Sequence, residues 1–177
     1  MSRTRSAHSK VIELAPLLDV LDFERHAGAT IVFTNGCFDL LHAGHLGLLE
    51  TAAAQGDHLI VGLNGDASIQ RLKGQDRPVM PFAERALVLA GLESVDWVVG
   101  FDEETPLRLI ESIQPDVLVK GADWPVERIV GRELVEARGG RVVTAALVEG
   151  RSTSRIVERM RSRRIRAIRG RRRSARP

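Results

Sequence analysis

The chain has 177 residues, 44% of them hydrophobic and 28% charged. That suits one globular domain with a sizeable core, and no apolar run reaches the roughly 20 residues a membrane-spanning helix needs. Cys37 is the only cysteine, which excludes an intrachain disulfide, and no apolar signal-peptide core follows the basic start "MSRTRSAHSK", so a cytoplasmic address is expected. The net charge of +3 hides an asymmetry: residues 159–177 hold ten arginines and no acid, leaving 16 basic against 23 acidic residues in 1–158. An acidic body therefore carries a basic tail.

In chain order, residues 1–10 read as a disordered arm. Apolar residues at 11, 12, 14, 17, 18 and 21 suit an amphipathic helix over Val11 to His26. The β-branched run "ATIVF" at 29–33 is a buried strand. A helix is expected from Ala43 to Gln55, stopped by Gly56, then a strand at 58–63 and a short helix at 65–72. "KGQDRP" at 73–78 has the composition of a mobile loop. A helix follows at Phe82 to Leu92 and a strand at 95–101, in which Trp97 is expected in the core. The next helix, Pro106 to Ile113, has Thr105 as its expected N-cap. A strand at 116–121, a helix at Ile129 to Ala137, a strand at 141–147 and a last helix from Ser152 to about Arg164 complete the chain.

Strands alternating with helices imply an α/β fold: a Rossmann-like, doubly wound, five-stranded parallel sheet in a single domain, with right-handed crossovers. The expected division is an N-terminal arm and helix at 1–28, the α/β body at 29–160 and an Arg-rich tail at 161–177. Ligands of such sheets bind beyond the carboxyl ends of the strands. Polar clusters fall there: Asn35 to His45, Gly65 and Asp66, Lys120 to Trp124, and Gly150 to Arg155. The third strand differs, being followed by the acidic Asp102 to Glu104.

The densest cluster is "FTNGCFDLLHAGHLGLLE", Phe33 to Glu50. Gly36 lets backbone amides turn toward an anion, and His42 and His45 bracket Gly44 at a helix start, where free amides and the helix dipole favour phosphate. Two imidazoles there are placed to donate hydrogen bonds to phosphate oxygens as charge builds in a transition state. Two other readings compete: a metal pair, for which further His or Cys ligands are missing nearby, and simple helix capping. Cys37 is most simply a small buried apolar residue.

"HAGH" after "NGCFD" resembles the HxGH signature of the nucleotidyltransferase superfamily, and "GRSTSRIV" at 150–157 resembles its C-terminal Ser-Thr motif. "TNGCFDLLHAGH", "RLKGQDRPV", "ER" at 84–85, "VDWVV", "DVLVKGADW" and "STSRIV" together resemble the adenylyltransferase domain of the ADP-heptose pathway. That resemblance implies transfer of AMP from ATP to D-glycero-D-manno-heptose 1-phosphate, releasing pyrophosphate. It implies His42, His45 and Lys73 as catalytic residues. It implies nucleotide binding by Asn35, Gly36, Cys37, Phe38, Gly44, Gly121, Asp123, Trp124, Ser152, Thr153 and Ser154, and acceptor binding by Asp39, Arg77 and Arg85. Mg²⁺ is expected to arrive with ATP, with no dedicated metal ligands in the protein. A homodimer is expected from the family, and the heptose 1-phosphate is expected to be made elsewhere.

Each of these residues also has a plainer reading. Asp39 would cap local amides, Lys73, Arg77 and Arg85 would be solvated charges, Trp124 would be core, and Ser152, Thr153 and Ser154 would cap the last helix. Cytidylyltransferases acting on glycerol 3-phosphate resemble the same span, but typically carry an Arg where this chain has Leu147 and usually lack a Lys at the position of Lys120. The "RMRSRRIRAIRGRRRSARP" tail is expected to be a disordered extension. It also suggests contact with nucleic acid, an anionic surface or an acidic neighbouring subunit, and a nucleic-acid-binding protein is the alternative from another class.

Overall fold

The computed structural model describes residues 5–122, 125–146, 153 and 156–159. The elements are α1 (Ala7–Lys10), α2 (Leu14–His26), β1 (Ile31–Gly36), α3 (Ala43–Ala53), β2 (His58–Asn64), α4 (Asp66–Lys73), α5 (Phe82–Ala90), β3 (Trp97–Phe101), α6 (Leu107–Ile113), β4 (Val117–Gly121), a 3₁₀ turn (Val126–Arg128), α7 (Arg132–Ala137) and β5 (Arg141–Ala145). The five strands form one sheet in the order β3-β2-β1-β4-β5, and every pairing is parallel. This is the expected Rossmann-like architecture. Its order reverses between β1 and β4, which opens a crevice at the carboxyl ends of those two strands.

The strand sequences explain why both faces are covered. In β1, Ile31 and Phe33 join one buried cluster with Leu17, Leu21 and Ile110, while Val32 joins the other with Leu49, Leu59 and Leu89. The period of two thus splits a continuous apolar run between two helix layers. Gly62 in β2 answers a crowding need, since a Cβ there would come within 2.7 Å of the Phe33 ring. Trp97 is buried, as expected.

Aspartates pin the amino ends of the strands. Asp57, Asp96 and Asp116 each accept a 2.8 Å hydrogen bond from the first amides of a neighbouring segment, those of Thr30, Leu59 and Ile31. These bonds serve donors that the ladders leave unpaired and set the register.

Several boundaries differ from the sequence reading: α2 starts at Leu14 rather than Val11, β3 at Trp97 rather than at 95, and α7 at Arg132 rather than Ile129. Residues 7–10 form a helical turn capped by Ser6, not a disordered arm. Lys10 Nζ donates to the Leu92 carbonyl at 3.1 Å, the Ile12 amide donates to that of Val98, and Val11 bridges Val98 in parallel. The arm thus lies along the open edge of β3. At α6 the N-cap is Pro106 rather than Thr105, and no side chain caps the helix. The last helix falls largely outside the described residues, of which 153 and 156–159 are helical.

Candidate active site

The β1–α3 loop sits at the switch point. His42 is the N-cap of α3, and its Nδ1 accepts the Gly44 amide at 3.1 Å. That bond fixes the tautomer: an unprotonated Nδ1 puts the proton of the neutral ring on Nε2, as a donor. Capping through Nδ1 is thus compatible with donation from Nε2 to a ligand. Its ring stacks on that of His45, with centroids 3.8 Å apart and 18° between planes, and Phe38 tilts against His45 at 5.1 Å. Phe38 adopts φ of +41°, which brings its ring back beneath the loop.

His45 is pushed down from 6.5 to about 4, first by burial, then by His42, then by Lys73. His42 and Lys73, the other two groups that the resemblance implies as catalytic, thus both act on His45 electrostatically. With no anion present, His45 is neutral at pH 7. A polyphosphate against the pair reverses the repulsion and favours extra protons. Lys73 is the last residue of α4, followed by Gly74 at φ +95°, a conformation that glycine permits without strain.

Asp39, Arg77 and Arg85 are placed differently from the sequence reading. The Asp39 carboxylate is fully buried, accepts the Val79 and Met80 amides at 2.7 and 3.1 Å, and pairs with Arg77. Arg85 is 1% exposed and donates to the carbonyls of Cys37 (2.7 Å), Asn64 (2.9 Å) and Met80 (3.0 Å) and to Asp66 Oδ1 (2.7 Å). Asp39 and Arg85 turn inward to backbone groups that have no ladder partner, and Arg77 turns to Asp39. In this placement they brace the loops around the site.

Thr153, from the Ser-Thr motif, is buried, and its Oγ1 donates to the Leu40 carbonyl at 3.3 Å. This ties the end of the chain to the loop that precedes the histidines. Lys120 Nζ donates to the Asn35 carbonyl at 3.3 Å, which joins β4 to β1 across the crevice. Gly121 ends β4 beside it. Asp123, Trp124, Arg151, Ser152, Ser154, Arg155 and the tail lie outside the described residues.

A cavity of about 520 Å³ opens over these strand ends. Asn35, Gly36, Cys37 and Lys73 line it, as the sequence led one to expect. Asn64, Glu104, Thr105 and Arg128 line it as well, and sequence reasoning missed them as site residues. The available signal was the acidic stretch after the third strand, at the end of the sheet where ligands bind.

A Rossmann-like domain with an HxGH segment at its switch point defines the class. The chain belongs to the cytidylyltransferase-like family, whose model matches residues 33–167. Among curated proteins it is similar to the bifunctional protein HldE of Citrifermentans bemidjiense, 53% identical over 156 residues, 88% of this chain and 32% of that protein. It is likewise similar to the bifunctional protein HldE of Pseudomonas aeruginosa PAO1, 53% identical over 161 residues, 91% of this chain and 34% of that protein. The chain thus spans about a third of the length of these relatives. Among solved structures, the lipopolysaccharide core biosynthesis protein from Thermoplasma volcanium GSS1 is similar, with a TM-score of 0.56, 25% identity, and coverage of 68% of this chain and 98% of that one.

Proposed function

We propose that this domain is an adenylyltransferase that joins ATP and D-glycero-D-manno-heptose 1-phosphate to give ADP-heptose and pyrophosphate. The observation that carries the reading is the stacked His42–His45 pair at the start of α3, coupled to Lys73 at the switch point. Identity of 53% to proteins named HldE supports the choice of substrates.

In this reading an oxygen of the sugar phosphate attacks the α-phosphorus of ATP. One oxygen–phosphorus bond forms there, the bond to the bridging oxygen breaks, and pyrophosphate leaves with the electron pair. The attacking phosphate is already anionic, so no general base is needed. The protein contributes alignment and charge stabilisation. His42 Nε2–H and His45 donate to oxygens that gain charge, and Lys73 neutralises the α-phosphate. Mg²⁺ would be held by the phosphates and water. A cytoplasmic address follows from these substrates, and no helix among the described residues is long and apolar enough to cross a membrane.

The test is pyrophosphate release with ATP or CTP against heptose 1-phosphate or glycerol 3-phosphate. Release with ATP and the heptose alone is the expected result. Release with CTP and glycerol 3-phosphate would overturn the choice of substrates, and silence in all four pairings would overturn the transferase reading.

A further inference from the structure

Asp39 and Arg85 are engaged inside the protein, and Arg77 pairs with Asp39, so the next candidates for holding an acceptor are side chains that line the site's cavity. The 520 Å³ cavity supplies them, and its wall is divided by charge. Lys73, Lys120 and Arg128 bring cations, while Asn64, Glu104 and Thr105 bring groups that accept hydrogen bonds. A carboxylate beside two phosphorylated substrates raises the Coulomb energy of both. It also accepts hydrogen bonds without donating any, and ionised phosphates offer no donor to it. The complementary partner of Glu104 is a hydrogen-bond donor, and on a sugar phosphate that donor is a hydroxyl.

The loop that carries Glu104 is built in place. The Gly65 amide donates to the Phe101 carbonyl at 2.8 Å, Arg71 donates to that of Asp102, and Ser68 Oγ donates to that of Glu103 at 3.3 Å. Neighbouring acids are turned elsewhere. Asp102 packs on Gly65, where a Cβ would fall 1.9 Å from its Oδ1, and Glu103 faces Arg108 at 3.7 Å. Among the described residues the Glu104 side chain has no hydrogen bond or ion pair, and the next two residues, Thr105 and the buried Pro106, continue the cavity wall.

We propose that Glu104 and Thr105 form a subsite that reads the hydroxyls of a sugar phosphate acceptor, with the acceptor's phosphate directed to Lys73. The charge division fixes orientation: the carboxylate repels the phosphate end and accepts from the polyol end. The inference rests on the sugar phosphate reading above and names residues for it.

Steady-state kinetics of Glu104→Ala and Thr105→Val test it, with Glu103→Gln as a control in the same loop. Glu104 and Thr105 are exposed, so folding is checked simply by thermal midpoint. The KM for heptose 1-phosphate is expected to rise roughly tenfold or more in Glu104→Ala, as for loss of a charge-assisted hydrogen bond. The KM for ATP and kcat are expected to stay within about threefold, and the control is expected to match the wild type. A rise in the KM for ATP instead would assign the carboxylate to the nucleotide ribose and overturn the proposal, as would unchanged constants. Wild-type protein that fails to turn over the heptose would defeat the adenylyltransferase reading alone. The subsite is then read by saturation-transfer NMR with mannose 1-phosphate. Transfer to the ring protons that is lost in Glu104→Ala sustains it, and equal transfer in both proteins, or none in the wild type, overturns it.

Discussion

His45 shows how a single residue acquires its chemistry from its neighbours. Alone it titrates near 6.5, but beneath Phe38, against His42 and within reach of Lys73, it titrates at about 4. The sign of the consequence is fixed by linkage. Between those values the unfolded chain binds a proton that the folded protein does not, so stability rises with pH through this window and is lost as pH falls. The ring is partly exposed, which moderates the effect to about 1–2 kcal/mol. Urea midpoints at pH 4.5 and 7 are expected to differ more in the wild type than in His45→Gln. Equal differences would remove His45 as the source.

At the scale of elements, the site is a set of loops with little regular structure, joined by buried side chains. Arg85 reaches from α5 to the loop after β1, the end of β2, the start of α4 and the segment before α5. Asp39 joins the β1–α3 loop to residues 77–80. Removing Arg85 strands three carbonyls, while Asp66, partly exposed, keeps the Phe82 amide. Arg85→Ala is expected to cost about 2–4 kcal/mol, mainly from buried carbonyls left without a donor. Arg85→Lys is expected to recover only part of that, since an ammonium lacks the planar fork. Chemical denaturation checks both, and a loss in Arg85→Ala near zero would show that the guanidinium is not a strut. Lost activity is expected to accompany lost stability, because the same loops carry His42, His45 and Lys73.

For the molecule as a whole, sheet order decides where chemistry occurs. The sequence β3-β2-β1-β4-β5 splits the crossovers at β1 and β4 and leaves a crevice above them. The edges matter too. Residues 5–12 cover the β3 edge: Val11 bridges Val98, Lys10 bonds Leu92, and Arg5 stacks over Trp97 at 4.8 Å. Deleting residues 1–12 removes these bonds and bares the edge of a strand. The thermal midpoint is expected to fall by roughly 5–10 °C, as for the loss of a few hydrogen bonds in a domain of this size. Light scattering is expected to show concentration-dependent association. An unchanged midpoint and a stable monodisperse profile would assign the arm no structural part.

The sequence by itself determined the class of fold, the order of its strands and helices along the chain, and the HxGH segment. Those features are local: apolar periodicity, glycine at turns and spacing within one loop are set by residues close in the chain. The order of strands within the sheet, the inward turn of Asp39, Arg77 and Arg85, and the arrival of Glu104 and Arg128 at the cavity were decided only in the tertiary structure. A charged side chain has the same spelling whether it meets a ligand, a buried carbonyl or water. Contacts such as Arg85 with Cys37, 48 residues apart, and Thr153 with Leu40, 113 apart, select among those fates. Burial makes the selection binding, because a charge or carbonyl withdrawn from water must find its partner within the fold.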